Sequence, residues 1–129
     1  MAVLKSIMGT AYYIVLENKI DGLDTRMDGK RLARQLESLD AVARDLGVSP
    51  LTDFVSLDPD SMADLLGDDA DAIPMSPVRQ FSAEDGLASV RALLLRPEAQ
   101  AALHDLKDCE RILTAAVQQG VGWHFQIDI

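Results

Sequence analysis

Seven aspartates crowd into residues 52–72 and form the densest group of side chains in the chain that could do chemistry. No lysine or arginine lies among them, so this acidic segment (residues 52–72) carries −7 of the formal net charge of −9. Carboxylates bind hard cations through oxygen, and a concentrated negative surface also attracts basic proteins. The seven are Asp53, Asp58, Asp60, Asp64, Asp68, Asp69 and Asp71.

The spacing of these aspartates does not fit a calcium-binding loop, which has glycine at its sixth position and glutamate at its twelfth. Counted from Asp58, those positions hold Ala63 and Asp69; counted from Asp69, the sixth is Pro74. A solvated acidic surface, a metal site of another kind and a docking face for a basic protein stay open. Our leading hypothesis is the docking face, without a metal. Its predicted contact residues are Asp60, Asp64, Asp68, Asp69 and Asp71.

A nucleophilic active site has little support in the sequence. Hydrolytic triads need a nucleophile, a base and an orienting acid that converge, and His104 and Cys109 are the nearest candidates. Cys109 belongs to an apolar helical stripe, where a cysteine is usually inert core. The nucleophile-elbow and glycine-rich phosphate-binding patterns are absent. We therefore predict no catalytic residue and no cofactor.

A ligand pocket near His124 is the alternative hypothesis. His124 lies on the less apolar face of the last predicted strand, together with Asp128, and Tyr13 lies in the first predicted strand. A pocket between strands and helices would make the protein a small enzyme or ligand-binding domain.

Length and composition indicate one ordinary globular domain. The 129 residues are 48% hydrophobic and 26% charged, which suits a single folded unit. The acidic balance argues against binding of nucleic acid or of an anionic membrane. One cysteine cannot form an intrachain disulfide, and no apolar run reaches the roughly 18–20 residues of a membrane span. We expect a cytoplasmic protein.

Periodicity predicts a strand near each end of the chain and several helices between them. The strands are expected at 10–17 and 122–129, because their residues are β-branched, aromatic or alternating. The first is apolar on both faces, which predicts a central or doubly covered strand. The alternation of the second predicts one buried face.

Apolar residues at helical spacing predict helices at 29–46, 82–96 and 105–119. Short helical pieces are expected after Asp58 and Pro97, and an edge strand at 78–81. Asp28 is the expected cap of the first helix, and Phe54 is expected to anchor the following connector in the core.

The predicted fold class is α+β: a helix-rich single domain over residues 9–129, with a small sheet containing the N-terminal and C-terminal strands. Residues 1–8 are expected to be a loosely ordered N-terminal extension, since Met8 could be the initiator. So small a sheet leaves exposed edges, so the sequence also predicts a homodimer.

Three stretches carry a resemblance to a known group of proteins. They are residues 9–17 (Gly-Thr-Ala-Tyr-Tyr-Ile-Val-Leu-Glu), residues 22–25 (Gly-Leu-Asp-Thr) and residues 47–51 (Gly-Val-Ser-Pro-Leu), with the closing Trp-His-Phe-Gln-Ile at 123–127. On these the chain resembles a family of small uncharacterised bacterial proteins. The resemblance implies a bacterial protein but no reaction and no site residue.

Overall fold

A computed structural model describes residues 10–56 and 79–128 of the chain. These residues form an α+β fold in which three helices lie between a strand near each end, as the sequence predicts. The strands are β1 (Ala11–Leu16) and β2 (Trp123–Asp128), and the helices are α1 (Lys30–Leu46), α2 (Ala83–Leu94) and α3 (Leu103–Gln119). Two 3-10 turns cover Leu51–Phe54 and Pro97–Ala102. The predicted extension at 1–8, the short helix after Asp58 and Val78 of the predicted edge strand lie outside the described residues.

The two strands pair side by side in antiparallel register. Ala11 lies opposite Asp128 and Leu16 opposite Trp123, so the pairing runs along all six residues of each strand. One sheet face packs on the helices: Ile14 and Phe125 lie directly opposite each other in the hydrophobic core. Pairing of the strands near both chain ends closes the domain around its helices.

The outer edge of β2 is covered in part by Phe81, the last residue of the edge strand predicted at 78–81, which forms a single bridge to Trp123. Phe81 and Trp123 exchange two backbone hydrogen bonds, of 2.7 and 3.0 Å, and the Ser56 amide donates to the Phe125 carbonyl at 3.1 Å. β2 is therefore the central strand of this small sheet. β1 has only β2 as a strand partner among the described residues, although its apolar composition predicted a central or doubly covered strand.

Both faces of β2 are buried, whereas the alternation in the sequence predicted one buried face. Trp123 and Phe125 are fully buried on the core side, but His124 and Gln126 on the other side are only 3% and 6% exposed. The His124 ring lies within hydrogen-bonding distance of the Gln80 amide, which gives this buried polar side chain a partner.

The N-terminus of α1 is capped by a residue distant in sequence. The sequence predicted Asp28 as the cap, but the capping position is Gly29, with φ 73° and no side-chain cap bond. Asp105, in the first turn of α3, instead accepts a hydrogen bond from the Leu32 amide at 2.9 Å. Because the first amides of a helix lack intrahelical partners, this carboxylate ties α3 to the start of α1.

A second buried carboxylate, Asp40, fixes the turn after α1. It accepts hydrogen bonds from the Leu51 amide at 2.9 Å and from the Thr52 hydroxyl at 2.7 Å. The turn places Phe54 in the core, as its apolar character predicted. Ser82 caps α2 by accepting from the Asp85 amide, which confirms the predicted helix start.

Gly86 is the point of closest approach between α2 and the sheet. A Cβ at this position would lie 2.2 Å from Cζ2 of the Trp123 indole.

In an exposed helix, alanine in place of glycine stabilises by about 1 kcal/mol. We expect the opposite sign for Gly86→Ala, a loss of about 1–3 kcal/mol from overpacking, measured as the free energy of unfolding in urea.

The double variant Gly86→Ala/Trp123→Leu tests the cause of that loss. If the indole is the obstacle, the double variant loses less free energy of unfolding than the sum of the losses in the two single variants. If the two losses are additive, or if Gly86→Ala alone stabilises the protein, the close contact between Gly86 and Trp123 is wrong.

Asp105→Ala tests the long-range helix cap. We expect the free energy of unfolding to fall by about 1–3 kcal/mol, because the substitution leaves the buried Leu32 amide without its acceptor. Asp53→Ala is the control: Asp53 is exposed, so its effect should stay within about 0.5 kcal/mol. Equal effects of the two substitutions would show that the cap is not a source of stability.

Candidate functional site

Of the three residues predicted for a pocket near His124, Tyr13 and His124 lie in different environments on one face of the sheet. Tyr13 is opposite Gln126 and His124 is opposite Val15, so these side chains share the sheet face away from the core. His124 is buried, with Nδ1 3.2 Å from the Gln80 Oε1, while Tyr13 is 36% exposed. The Asp128 side chain lies outside the described residues.

A groove of about 540 Å³ follows the outer edge of β1. Its size is within the range of about 300–1,000 Å³ that ligand-binding clefts occupy. One wall is residues 13–16 of β1, and the other is the loop that leads from β1 to α1. The loop residues that line it are Lys19, Ile20, Leu23, Thr25, Arg26 and Met27. Tyr13 lines this groove; His124 is not among its lining residues.

The loop wall is held to the rest of the fold. Ile20, Leu23 and Met27 are partly buried and pack against the hydrophobic core. The Arg111 guanidinium, on α3, donates to the Asp24 backbone carbonyl. These contacts make the groove a formed feature of the described structure.

Asp24 and Arg26 stiffen the loop locally. The Asp24 carboxylate accepts from the Arg26 amide at 3.0 Å and from its Nε at 3.1 Å. The Arg26 hydrogen bonds, from side chain and backbone, lower the pKa of Asp24 because they favour its charged form. Both side chains are largely exposed, so their contribution to global stability is small.

Gly29 pairs with β1 at one end of the groove. Its carbonyl accepts a hydrogen bond from the Tyr12 amide at 3.1 Å. A Cβ at Gly29 would lie 1.8 Å from the Tyr12 carbonyl oxygen, and its φ of 73° also favours glycine. Only glycine lets the loop return this close to β1.

His104 and Cys109 are not placed for catalysis together. The Cys109 side chain is fully buried in the core, and burial raises the pKa of its thiol, with Asp105 and Asp108 adding to the shift. The His104 side chain is 78% exposed and lies 3.6 Å from the Asp108 carboxylate. The thiol and the imidazole therefore occupy different environments, one in the core and one in solvent.

The predicted docking residues of the acidic segment all lie outside the described residues: Asp60, Asp64, Asp68, Asp69 and Asp71. The residues flanking the undescribed stretch 57–78 are described. The Arg79 amide donates to the Ser56 hydroxyl at 2.9 Å. The two points where this stretch leaves and rejoins the fold are therefore in contact beside the outer edge of β2.

Residues 10–56 and 79–128 contain neither a cluster of metal-ligating side chains nor a helix suited to a membrane. Within these ranges, no three His, Cys, Asp or Glu side chains are grouped so that they could hold a metal ion. No helix in the same ranges combines the length and apolar character that a membrane crossing needs.

Sequence reasoning missed the groove because it depends on how a loop folds back. Residues 18–29 contain two glycines and three aspartates, a composition that predicts a connecting loop and no more. Their apolar members, Ile20, Leu23 and Met27, were the available signal, since such residues in a loop need an apolar surface to pack against.

Comparison of the chain with protein-family models, with curated proteins and with solved structures found no match. The resemblance to small bacterial proteins thus stays a prediction, as do the cytoplasmic location and the homodimer.

Burial of Cys109 predicts an unreactive thiol. In the native protein, alkylation by iodoacetamide at neutral pH should be very slow, because the thiolate is disfavoured and the sulfur is inaccessible. In urea above the unfolding midpoint the same thiol should react as an ordinary cysteine. Mass spectrometry of the alkylated chain follows both rates, and a fast reaction in the native state would contradict the buried placement.

Proposed function

We propose that the protein is a non-catalytic interaction module that recognises a basic protein partner through its acidic segment. The observation that carries the proposal is the way this charge is attached to the fold. Its undescribed part is joined to the sheet at Ser56 and Arg79, which are hydrogen-bonded to each other.

The charge distribution supports recognition by a local surface. Outside residues 52–72 the chain carries a formal charge of −2, the difference between −9 and −7. Carboxylates concentrated in one stretch steer a cationic partner toward that stretch, whereas a uniform charge would not select an orientation. The acidic segment is therefore the part of the chain best suited to a basic partner.

The anchoring of the flanks supports the same proposal. Ser56 is bound to Phe125 of β2, and Phe81, two residues after Arg79, is bound to Trp123. Arg79 also lies over the Phe81 ring, 5.1 Å from its centroid. Both flanks of the proposed docking segment are thus held by the sheet, as functional loops are held by the scaffold that carries them.

The placement of the candidate nucleophile supports a role in binding. Cys109 is sequestered in the core with a raised thiol pKa, and His104 is on the surface. The Cys109 thiol therefore lacks the activated environment that nucleophilic catalysis uses.

Removal of four charges from the acidic segment tests the proposal. The variant carries Asp64→Asn, Asp68→Asn, Asp69→Asn and Asp71→Asn, which changes the net charge from −9 to −5. The immobilised wild-type chain is used to capture basic proteins from native lysate, and the affinity of a captured protein is then measured by calorimetry. We expect the variant to bind it about tenfold or more weakly, because the steering charges are gone.

A matched control separates a local effect from an effect of total charge. Asp21→Asn, Asp28→Asn, Glu37→Gln and Asp45→Asn also give a net charge of −5, but at exposed positions outside the acidic segment. This control should retain the wild-type affinity, and binding of both forms should weaken as salt shortens the Debye length. Equal capture by the wild type and the acidic-segment variant would show that the proposal is wrong, as would equal losses in the two variants.

A further inference from the structure

We propose that the outer edge of β1 is a second interaction surface, and that it binds an extended acidic and apolar peptide segment of a partner protein as an added β-strand. The site is the groove between β1 and the loop that leads to α1. It lies on the opposite side of the sheet from the flanks of the acidic segment and does not depend on the function proposed for that segment.

The backbone of β1 presents hydrogen-bonding groups toward this groove. In an antiparallel pair, the amides of alternate residues point to opposite edges. The Glu17 amide donates to the Gly122 carbonyl on the β2 side, and the Tyr12 amide donates to Gly29 on the other. By this alternation, the backbone groups of Ile14 and Leu16 point away from β2, into the groove.

The peptide groups of Ile14 and Leu16 have no backbone partner on this edge among the described residues. The other sheet edge is covered by Phe81 and Ser56, and the near end of this one by Gly29. The open stretch is therefore short and defined: an incoming strand would form its hydrogen bonds at Ile14 and Leu16 and would stop at Tyr12.

The shape of the groove favours a peptide over a second copy of the domain. The site is walled on one side by β1 and on the other by the pinned loop, so an incoming strand must fit between them. Pairing of β1 with β1 of another copy would bring two such loops against each other. A single extended segment needs only the groove itself, the arrangement used in strand-addition complexes.

The side chains that line the groove specify the chemistry of the segment. Ile20, Leu23 and Met27 supply apolar surface, and the charged residues among the lining are Lys19 and Arg26, both cationic. Because side chains of a strand alternate between two directions, a segment that alternates apolar and acidic residues can match both features.

The acidic residues of the same loop are engaged by other groups or do not line the groove. Glu17 is turned toward β2, with its carboxylate near the Gly122 amide, and Asp24 is bound to Arg26. Asp21 and Asp28 are not among the lining residues. Lys19 is exposed and forms no ion pair with any described residue, so it is the cation available to a bound carboxylate.

The test uses a labelled synthetic peptide of about eight residues that alternates valine and aspartate, with both ends blocked. Fluorescence anisotropy measures its affinity for the full chain. Amide hydrogen exchange followed by NMR locates it: the Ile14 and Leu16 amides should become protected, while the Tyr12 amide, already bonded to Gly29, should not change. A peptide alternating valine and lysine should bind at least about tenfold more weakly.

Two charge reversals separate the groove from the rest of the surface. Lys19→Glu should weaken binding of the valine–aspartate peptide about fivefold or more. Arg34→Glu, at an exposed position on α1, makes the same change in net charge and should leave the affinity unaltered. Both positions are exposed, and circular dichroism verifies that each variant is folded.

Several results would overturn the inference. They are the absence of saturable binding, equal affinity for the two peptides, equal effects of Lys19→Glu and Arg34→Glu, and protection of amides other than those of Ile14 and Leu16. Sedimentation that shows a dimer dissociated by the Lys19→Glu substitution would assign the edge to a second copy of the chain and would also overturn it.

Discussion

The indole of Trp123 is completely buried, and the elements of the fold meet around it. Its Nε1 donates to the Ser82 carbonyl at 3.0 Å, its ring lies 4.9 Å from the Phe54 ring, and Gly86 of α2 packs against its edge. Its backbone pairs with β1 on one side and with Phe81 on the other. One residue thus fixes the start of α2, the turn after α1 and both edges of β2, so the geometry of either sheet edge depends on this packing.

Two buried carboxylates fix the positions of backbone segments outside the apolar core. Asp105 binds the first turn of α1 and Asp40 binds the turn that follows it. Carboxylate acceptors satisfy several backbone or hydroxyl donors at once, and a buried donor left alone is costly. Both buried acids therefore have structural partners, and their charge serves the fold.

Much of the fold follows from periodicity, and the misses have a common physical origin. Three elements are predicted by local patterns. α1 has apolar residues at helical spacing, β2 alternates, and α2 begins at the Ser82 cap. The cap on α1 comes from a residue 73 positions away, and the burial of His124 depends on Gln80. The groove requires Gly29 to meet Tyr12. Contacts between distant residues leave no periodic signal, so sequence reasoning could not place them.

The two edges of the sheet differ in their backbone hydrogen bonding, and each edge carries one of the two surfaces that we propose. On the β2 side, Phe81 and Ser56 complete the hydrogen bonding, and the flanks of the acidic segment are anchored there. On the β1 side, the backbone of Ile14 and Leu16 faces a largely apolar groove whose charged lining residues, Lys19 and Arg26, are both cationic. Adjacent strands are separated by about 4.8 Å, so the two edges of the sheet are close in space and face in opposite directions. A basic partner at one edge and an acidic strand at the other would not compete for the same groups. Occupancy of one would change the affinity of the other only through β1 and β2 themselves, the elements whose packing Trp123 holds fixed.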